Sequence, residues 1–251
     1  MLFVGAGGVY TSGMKNTDVS KKAIQLHKKL AGKIRVMPAA PVRNRADLAL
    51  VYTPGVAAVS SLVAKNPKLA RQYTIKGRMV AVVSDGSAVL GLGNIGPLGA
   101  LPVMEGKCAL FKTFADVDAV PIVLDVHEPA EIIAAVRAIA PTFGGINLED
   151  IAAPKCFEIE AALQDLGIPV MHDDQHGTAV VVLAGLINAL KVVGKKMKNI
   201  RVVVSGAGAA GVAVGKLLHA EGAGEVLFLD RSGIIASDRP GISGYKKEIA
   251  A

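Results

Sequence analysis

The sequence predicts an α/β protein, in which a first domain built on a parallel sheet is followed by the beginning of a second. From residue 79 onward, strand-like apolar runs alternate with helix-like segments, the pattern of βαβ units. Aromatic residues make up only 4% of the chain, and tryptophan is absent, so the core must be aliphatic. Parallel strands that are covered on both faces have this composition. After the polar stretch GKKMKN (194–199), the strand–helix alternation starts again.

The elements follow from hydrophobic periodicity and from helix start and stop residues. A helix over TDVSKKAIQLHKKLAG is expected first. The predicted strands are MVAVVS (79–84), PIVLDV (121–126), part of GGINLED, PVMHD, IRVVVSG and EVLFLD. The predicted helices are PVMEGKCALFKTF (102–114), PAEIIAAVRAIA (129–140), CFEIEAALQDL, a buried apolar helix that starts after Gly177, and AAGVAVGKLLHAEG.

These elements divide the chain into three expected parts. Residues 1–17 form a loose N-terminus, residues 18–195 the first domain, and residues 196–251 the start of a second domain. That second part is far shorter than a complete doubly wound domain. The chain is therefore expected to be either a partial sequence of a longer protein or a natural truncation, and a partial sequence is favoured.

The formal net charge is +7, but the lysines are scattered in pairs and no aromatic residues lie among them. A nucleic-acid partner is therefore not expected, whereas an anionic substrate would suit the positive field. Cys108 and Cys156 lie in helix-like patterns and are expected to be buried thiols in a reducing compartment. The run TAVVVLAGLI is about half a membrane span, and the start of the chain does not match a signal peptide. A cytoplasmic protein without a membrane segment is expected.

The second domain begins with the glycine pattern Gly206-Ala207-Gly208-Ala209-Ala210-Gly211, between a predicted strand and a predicted helix. Asp230 closes the next predicted strand, 19 residues after Gly211. This is the context of a Rossmann dinucleotide-binding turn, in which the acidic residue takes the ribose hydroxyls. Asp230 favours NAD, but Arg231 beside it could take the 2′-phosphate of NADP, so both cofactors stay open. The Rossmann domain is expected to be incomplete, and the first domain, which holds the acidic pairs, is the candidate for the catalytic domain.

Two acidic pairs, Glu149-Asp150 and Asp173-Asp174, follow predicted strands of the first domain. The carboxyl ends of parallel strands are where open α/β folds bind ligands. Converging carboxylates would suit Mg²⁺ or Mn²⁺. The spacing is equally consistent with helix caps, so this alternative stays open. The nearby histidines His172 and His176 lack a further His or Cys at zinc-ligand spacing.

Two further residues are candidates for acid–base chemistry. Lys107 lies on a predicted helix that is apolar on either side of it, where a cation needs a partner or a role. The spacing alone favours a lysine that extends its amine to solvent. Tyr52 precedes a Pro-Gly turn that would fix its backbone, but by itself it is one of four tyrosines.

Taken together, the motifs resemble those of the malic enzymes in their short prokaryotic form. The matching segments are GKIRVMPAAPVRNRADLALVYTPGVA, VVSDGSAVLGLGNIGPLGALPVMEGKCALFK, APTFGGINLEDIAAPKCFEIE, VMHDDQHGTAVVVLAGLINAL and VVVSGAGAAG. The resemblance runs from about residue 20 to the end of the chain, in the order of the family. It implies that malate and NAD(P)⁺ are converted to pyruvate, CO₂ and NAD(P)H with Mg²⁺ or Mn²⁺, and it implies a homodimer.

The resemblance also implies residue roles. Tyr52 of YTPGVA would be the general acid and Lys107 of MEGK the general base, held by Asp173. The implied metal ligands are Glu149, Asp150 and Asp174. The implied dinucleotide-binding residues are Gly206, Gly208, Ala209, Ala210, Gly211, Asp230 and Arg231.

One departure concerns the substrate. Ser87-Ala88 stand where the larger malic enzymes have an acidic residue and a substrate-binding arginine, so recognition of the substrate carboxylates stays open, with Arg43 and Arg45 as candidates.

Two alternatives to a malic enzyme stay open. A non-catalytic module would bind metal, dicarboxylate or dinucleotide without hydride transfer. An amino-acid-dehydrogenase-like enzyme would combine a lysine base with a Rossmann unit, but it would not need the acidic pairs.

Overall fold

The computed structural model describes residues 2–4, 16–242 and 244–250. Its strands are β1 (Leu2–Val4), β2 (Met79–Ser84), β3 (Asp118–Val123), β4 (Gly145–Leu148), β5 (Val170–His172), β6 (Arg201–Ser205), β7 (Glu225–Asp230) and β8 (Gly233–Ile234). Its α-helices are α1 (Asn16–Leu30), α2 (Arg45–Val51), α3 (Val56–Lys65), α4 (Ala70–Tyr73), α5 (Gly96–Ala115), α6 (Pro129–Ile139), α7 (Lys155–Ala162), α8 (Asp173–Val193), α9 (Ala209–Ala220) and α10 (Tyr245–Glu248).

The described strands form two four-stranded sheets, with the orders β3-β2-β4-β5 and β1-β6-β7-β8. β2 pairs with β3 in parallel, and β6 pairs in parallel with both β1 and β7. The short β8 is antiparallel to β7. The predicted α/β class, with a parallel sheet followed by a partial dinucleotide-binding fold, is confirmed.

The chain divides into two compact units. One unit contains Lys15–Asn147 and Leu163–Val170. The other contains Leu148–Ala162 and the described residues from Met171 onward, together with β1. The expected boundaries at residues 17 and 195 stay predictions, and most of the expected loose N-terminus lies outside the described residues.

In the first of these units, α5 packs against β2 and β3. Val82, Met104 and Cys108 form a small buried cluster, against which Phe111 and Val123 also pack. This packing fixes the helix that carries Lys107.

The second unit has its core between α8, α9 and the sheet of β6 and β7. Leu186 and Leu190 of α8 are buried with Val202, Val214 and Phe228. A Cβ atom at Gly215 would lie 2.1 Å from the ring of Phe228, so only glycine lets α9 approach β7 this closely.

Three elements begin at least three residues before the predicted position. α5 begins at Gly96 instead of 102, because Pro97 fits the first turn and packing on the sheet outweighs the low helix propensity of glycine. β3 begins at Asp118, since pairing with Met79 extends the strand beyond its apolar run. α8 begins at Asp173 instead of after Gly177, because carboxylates favour the positive end of a helix.

α8 is also less buried than predicted. Val180 and Val181 are 60% and 66% exposed, and the buried residues of the helix are Gln175, Ala179, Leu186 and Leu190. By length and composition alone, two described stretches could cross a membrane, Arg45–Lys65 and Asp173–Val193. The first consists of two helices, α2 and α3, and the second packs against α9. The expected absence of a membrane segment stays a prediction.

Candidate functional site

Three carboxylates converge where two neighbouring strands end. Glu149 and Asp150 directly follow β4, and Asp174 lies in the first turn of α8, directly after β5. One ligand oxygen of each lies within 4.8 Å of the others. The ends of these two strands therefore bring together the three residues that were expected to hold a metal.

The backbone at Asp150 links the two strand ends. Asp150 has a φ of 54°, in the left-handed region that few residues other than glycine adopt. Its N–H donates a hydrogen bond of 2.9 Å to Oδ2 of Asp174. An aspartate in this conformation is unfavourable in isolation, and such strain is typical of functional sites.

These residues fit a hard divalent cation. Glu149 and Asp150 are only 5% and 4% exposed, so the charge of their carboxylates is poorly solvated. Like charges this close raise each other's free energy unless a cation or protons neutralise them. Carboxylate oxygens are the ligands that Mg²⁺ and Mn²⁺ prefer. Helix capping alone, the alternative left open by spacing, does not explain why a third carboxylate faces the other two.

Glu160 of α7 supports this site and was missed by the sequence reasoning. Its Oε1 accepts the backbone N–H of His172 at 3.0 Å and lies 2.7 Å from Nε2 of His176. Its Oε2 accepts Nε2 of Gln175 at 3.0 Å. One carboxylate thus ties α7 to the end of β5 and the start of α8. The available signal was a glutamate four residues after the buried Cys156, on the apolar side of a helix.

His172 and Cys156 are completely buried beside the carboxylates. Nε2 of His172 lies 3.2 Å from Oδ2 of Asp174, in an orientation that makes no hydrogen bond. Burial, and then the negative charges of Asp174 and Glu160, raise the pKa of the Cys156 thiol to about 12. Cys156 is a free, inert thiol, as is expected of a buried cysteine.

Asp173 is the first residue of α8 and lies against Gly177. A Cβ atom at Gly177 would be 2.2 Å from Oδ1 of Asp173, so the glycine leaves space for this carboxylate. Lys107 is half-buried on α5, between the buried residues Met104 and Cys108. Asp173 and Lys107 belong to different compact units, and their expected pairing stays a prediction.

Tyr52 ends α2. Its N–H donates to the carbonyl oxygen of Leu48 at 2.9 Å, and its side chain is 66% exposed. The Pro-Gly turn follows, as expected, and leads into α3. Tyr52 and the three carboxylates also fall in different units, so the role of Tyr52 stays a prediction.

A second buried carboxylate, Asp85, occurs in the loop after β2. Its Oδ1 accepts the N–H and the hydroxyl of Ser87, at 3.1 and 2.7 Å. Nδ1 of His127 lies 3.4 Å from its Oδ2. Ser87 is therefore engaged in holding this loop. The other candidates for substrate binding, Arg43 and Arg45, lie before and at the start of α2, and both are exposed.

The glycine loop has the geometry expected of a dinucleotide-binding turn. Gly206 has a φ of 113°, and a Cβ atom at Gly211 would lie 1.9 Å from the carbonyl oxygen of Gly206. Only glycine therefore allows the turn and the close approach of α9 to the loop. At Gly208 a Cβ atom would meet nothing within 4 Å, and α9 begins with Ala209 and Ala210. An open backbone at a helix N-terminus suits a pyrophosphate.

At the end of β7, Asp230 accepts hydrogen bonds from Arg239 and Lys246. Nη2 of Arg239 and Nζ of Lys246 lie 2.6 and 2.7 Å from its Oδ2. These bonds hold the pKa of Asp230 far below its ordinary value. Neither cation was anticipated from the sequence, since they lie 9 and 16 residues further along the chain. Arg231 is exposed beside them.

Comparisons with known proteins agree with these features. Residues 31–164 match the family model of the malic enzyme N-terminal domain, and residues 175–251 match that of the malic enzyme NAD-binding domain. A crystal structure of NAD-dependent malic enzyme from Thermotoga maritima is similar, with a TM-score of 0.87 and 50% identity. The alignment covers 91% of this chain and 62% of that chain.

Curated relatives use both dinucleotides. An NAD-dependent malic enzyme of Geobacillus stearothermophilus is 56% identical, over 95% of this chain and 50% of the relative. An NADP-dependent malic enzyme of Halomonas elongata is 49% identical, over 93% of this chain and 57% of the relative. This chain spans about half the length of the curated relatives that it matches. Since the first family model alone covers more than half of its residues, the chain belongs to the malic enzyme family.

Proposed function

We propose that this chain carries the metal-binding and acid–base machinery of a malic enzyme, which converts malate and NAD(P)⁺ to pyruvate, CO₂ and NAD(P)H. The observation that carries the proposal is the convergence of Glu149, Asp150 and Asp174 within 4.8 Å. A family that binds a hydroxy acid through a hard cation needs such a site, whereas a dehydrogenase of amino acids does not.

The proposal gives each group of residues a separate role. Glu149, Asp150 and Asp174 hold Mg²⁺ or Mn²⁺. When bound, the cation supplies positive charge beside the substrate's hydroxyl and carbonyl oxygens, which favours loss of the hydroxyl proton and, later, of CO₂.

Lys107 would accept the proton of the C2 hydroxyl when a hydride is transferred from C2 to a bound dinucleotide, and the product of this step would be oxaloacetate. Asp173 keeps Lys107 in position. Loss of CO₂ from oxaloacetate leaves the enolate of pyruvate, and Tyr52 donates a proton to C3 of this enolate, which gives pyruvate. General acid–base steps of this kind contribute about 10²–10⁴-fold each.

The glycine loop positions the dinucleotide. The backbone N–H groups at the start of α9, from Ala209 to Gly211, face the place where a pyrophosphate would lie, and Gly206 and Gly208 keep this approach open.

We also propose a homodimer in the cytoplasm, with no nucleic-acid or membrane partner. Helices α2, α3 and α4 bury none of their residues, and Leu50 is 76% exposed. A second copy of the chain would cover this apolar surface. Light scattering should give the mass of two chains, and Leu50→Glu should give the mass of one. A wild-type mass of one chain, or association with lipid vesicles instead, would contradict the dimer.

The central experiment is Mn²⁺-dependent decarboxylation of oxaloacetate by the 251-residue chain, followed as pyruvate formation. This partial reaction requires the carboxylates and the acid–base groups but no hydride transfer. We expect a rate above that of Mn²⁺ alone, lost in Lys107→Ala. The matched control is Lys112→Ala on the same helix, whose amine makes surface ion pairs with Asp116 and Asp118. A folded chain with no excess rate would contradict the proposal.

A further inference from the structure

The carboxyl end of β7 carries a cluster of charged side chains around Asp230. Oδ1 of Asp230 accepts the N–H of Ser232 and Nη1 of Arg239, both at 2.9 Å. Oδ2 accepts Nη2 of Arg239 at 2.6 Å and Nζ of Lys246 at 2.7 Å. Each oxygen of this carboxylate therefore already accepts two hydrogen bonds.

Four hydrogen bonds are about the full acceptor capacity of a carboxylate. In a dinucleotide without a 2′-phosphate, the ribose presents two hydroxyl donors, and the acidic residue at this position normally accepts from them. Asp230 has its acceptor sites filled by Ser232, Arg239 and Lys246. It remains ionised, because the same bonds lower its pKa. The site therefore offers few free hydrogen-bond acceptors at the position where the ribose hydroxyls of NAD would need them.

Cations outnumber anions in this cluster. Arg239 makes a two-pronged ion pair with Asp230, which the single charge of the carboxylate balances. Lys246 and the exposed Arg231 add further positive charge. The neighbouring carboxylate on α10, Glu248, pairs with Lys216 at 3.0 Å. An ammonium group has three donors and Lys246 gives one of them to Asp230, so its remaining donors can serve an anion.

The helix that carries Lys246 is anchored to the glycine loop. The hydroxyl of Tyr245 donates to the carbonyl oxygen of Ala207 at 2.9 Å. The ring of Tyr245 also packs against Phe157, with centroids 4.9 Å apart. Lys246 is therefore held at the edge of the loop on which a dinucleotide would lie.

We propose that this end of β7 binds a 2′-phosphorylated adenosine, so that the chain selects NADP over NAD. Lys246 and Arg231 bind the 2′-phosphate. Arg239 is a positioning residue, which holds Asp230 away from the ribose. The proposal rests on the proposed function, and the relatives leave the choice open, because both NAD- and NADP-dependent malic enzymes are among them.

The test is calorimetric binding of adenosine 2′,5′-bisphosphate and of 5′-AMP, which differ only in the 2′-phosphate. We expect the bisphosphate to bind at least about tenfold more tightly, with a preference that declines as salt rises. Lys246→Gln should weaken binding of the bisphosphate about tenfold, because one charge-assisted contact is lost. The affinity for 5′-AMP should stay within about twofold of the wild-type value. Lys247→Gln, at the next and exposed position, is the matched control and should change neither affinity.

Arg239→Gln is a second variant, which frees acceptor sites on Asp230 and should narrow the preference by improving 5′-AMP binding. Equal or tighter binding of 5′-AMP by the wild type would overturn the proposal. It would also be overturned if Lys246→Gln weakened both ligands alike, or if neither ligand bound the folded chain. Decarboxylation of oxaloacetate needs no dinucleotide, so a chain that decarboxylates but prefers 5′-AMP would refute this inference and leave the proposed function intact.

Discussion

The N–H of Asp150 donates to Oδ2 of Asp174 at 2.9 Å, across 24 residues of the chain. The bond joins the ends of two strands that are neighbours in the sheet, β4 and β5. It holds the Asp174 carboxylate toward the buried pair Glu149 and Asp150, so the three-carboxylate site depends on both strand ends.

The first prediction concerns the metal. Asp174→Asn should weaken Mn²⁺ binding by at least about tenfold, because it removes a charged ligand. At a concentration of 100 times its Kd, a bound ion stabilises the fold by about 2.7 kcal/mol. Mn²⁺ should therefore raise the Tm of the wild type and have little effect on the variant. Asp165→Asn, at an exposed carboxylate paired with Arg137, is the control. Equal Mn²⁺ stabilisation of both variants would exclude Asp174 as a ligand.

The second prediction uses two glycines of α8. Gly177→Ala should displace the Asp173 carboxylate, which would lie 2.2 Å from the new methyl group. If Asp173 positions Lys107, oxaloacetate decarboxylation should fall by about tenfold to 100-fold, the cost of a misplaced catalytic group. Gly185→Ala adds the same methyl group to the same helix, where nothing lies within 4 Å. It should keep full activity and add about 0.5–1 kcal/mol to the free energy of unfolding. Equal activity of the two variants would argue against the role of Asp173.

The third prediction concerns how the alkylation rate of the Cys156 thiol and its contribution to the stability of the fold depend on pH. Its pKa of about 12, against an ordinary 9.0, means that alkylation of the native chain near pH 8.5 should be on the order of 1,000-fold slower than that of the unfolded chain. Because the pKa is raised, the unfolded state loses its proton first. The stabilising contribution is complete below about pH 9 and declines as the pH rises toward 12. Mass mapping of alkylated peptides measures this, and rapid native labelling of Cys156 would contradict it.

The fourth prediction concerns Tyr52. Tyr52→Phe should retain Mn²⁺ binding and stability, because the side chain is 66% exposed. It should lose about 10²–10⁴-fold in the protonation of enolpyruvate at C3. Entry of deuterium from solvent into the methyl group of pyruvate, followed by NMR, reports this step. Tyr73→Phe, at a tyrosine that is 49% exposed, is the control. Normal deuterium entry in Tyr52→Phe would remove the residue from the mechanism.

Much of the fold could be predicted from the sequence, because continuous aliphatic runs bounded by turn residues have one plausible state in a parallel sheet. β2 and β7 have the predicted bounds, Met79–Ser84 and Glu225–Asp230. The starts of elements were not predicted where tertiary packing or strand pairing outweighs the helix or strand propensity of the residues. α5 begins at Gly96 and continues through Pro102, and the polar Asp118 joins a strand by pairing with Met79.

The three-carboxylate cluster was predictable as a set, because acidic pairs that follow neighbouring parallel strands lie at one edge of the sheet. Its support was not, since Glu160 interacts with residues 12 and 15 positions away, and helical periodicity does not reveal such partners. The partners of Asp230 were missed for the same reason. The glycine motif indicates where an acidic residue lies, but it does not indicate that Arg239 and Lys246 donate hydrogen bonds to that residue.

Asp174 lies between the two segments that match separate family models, residues 31–164 and residues 175–251. Glu149 and Asp150, with which it shares the site, lie in the first segment. A cut before Asp174, within residues 165–173, would consequently leave Glu149 and Asp150 on one fragment and Asp174 on the other, so the two segments are not independent modules. An evolutionary exchange of the cofactor-binding half would keep this site whole if the junction lay beyond the start of α8, or if the incoming half carried its own aspartate at the position of Asp174.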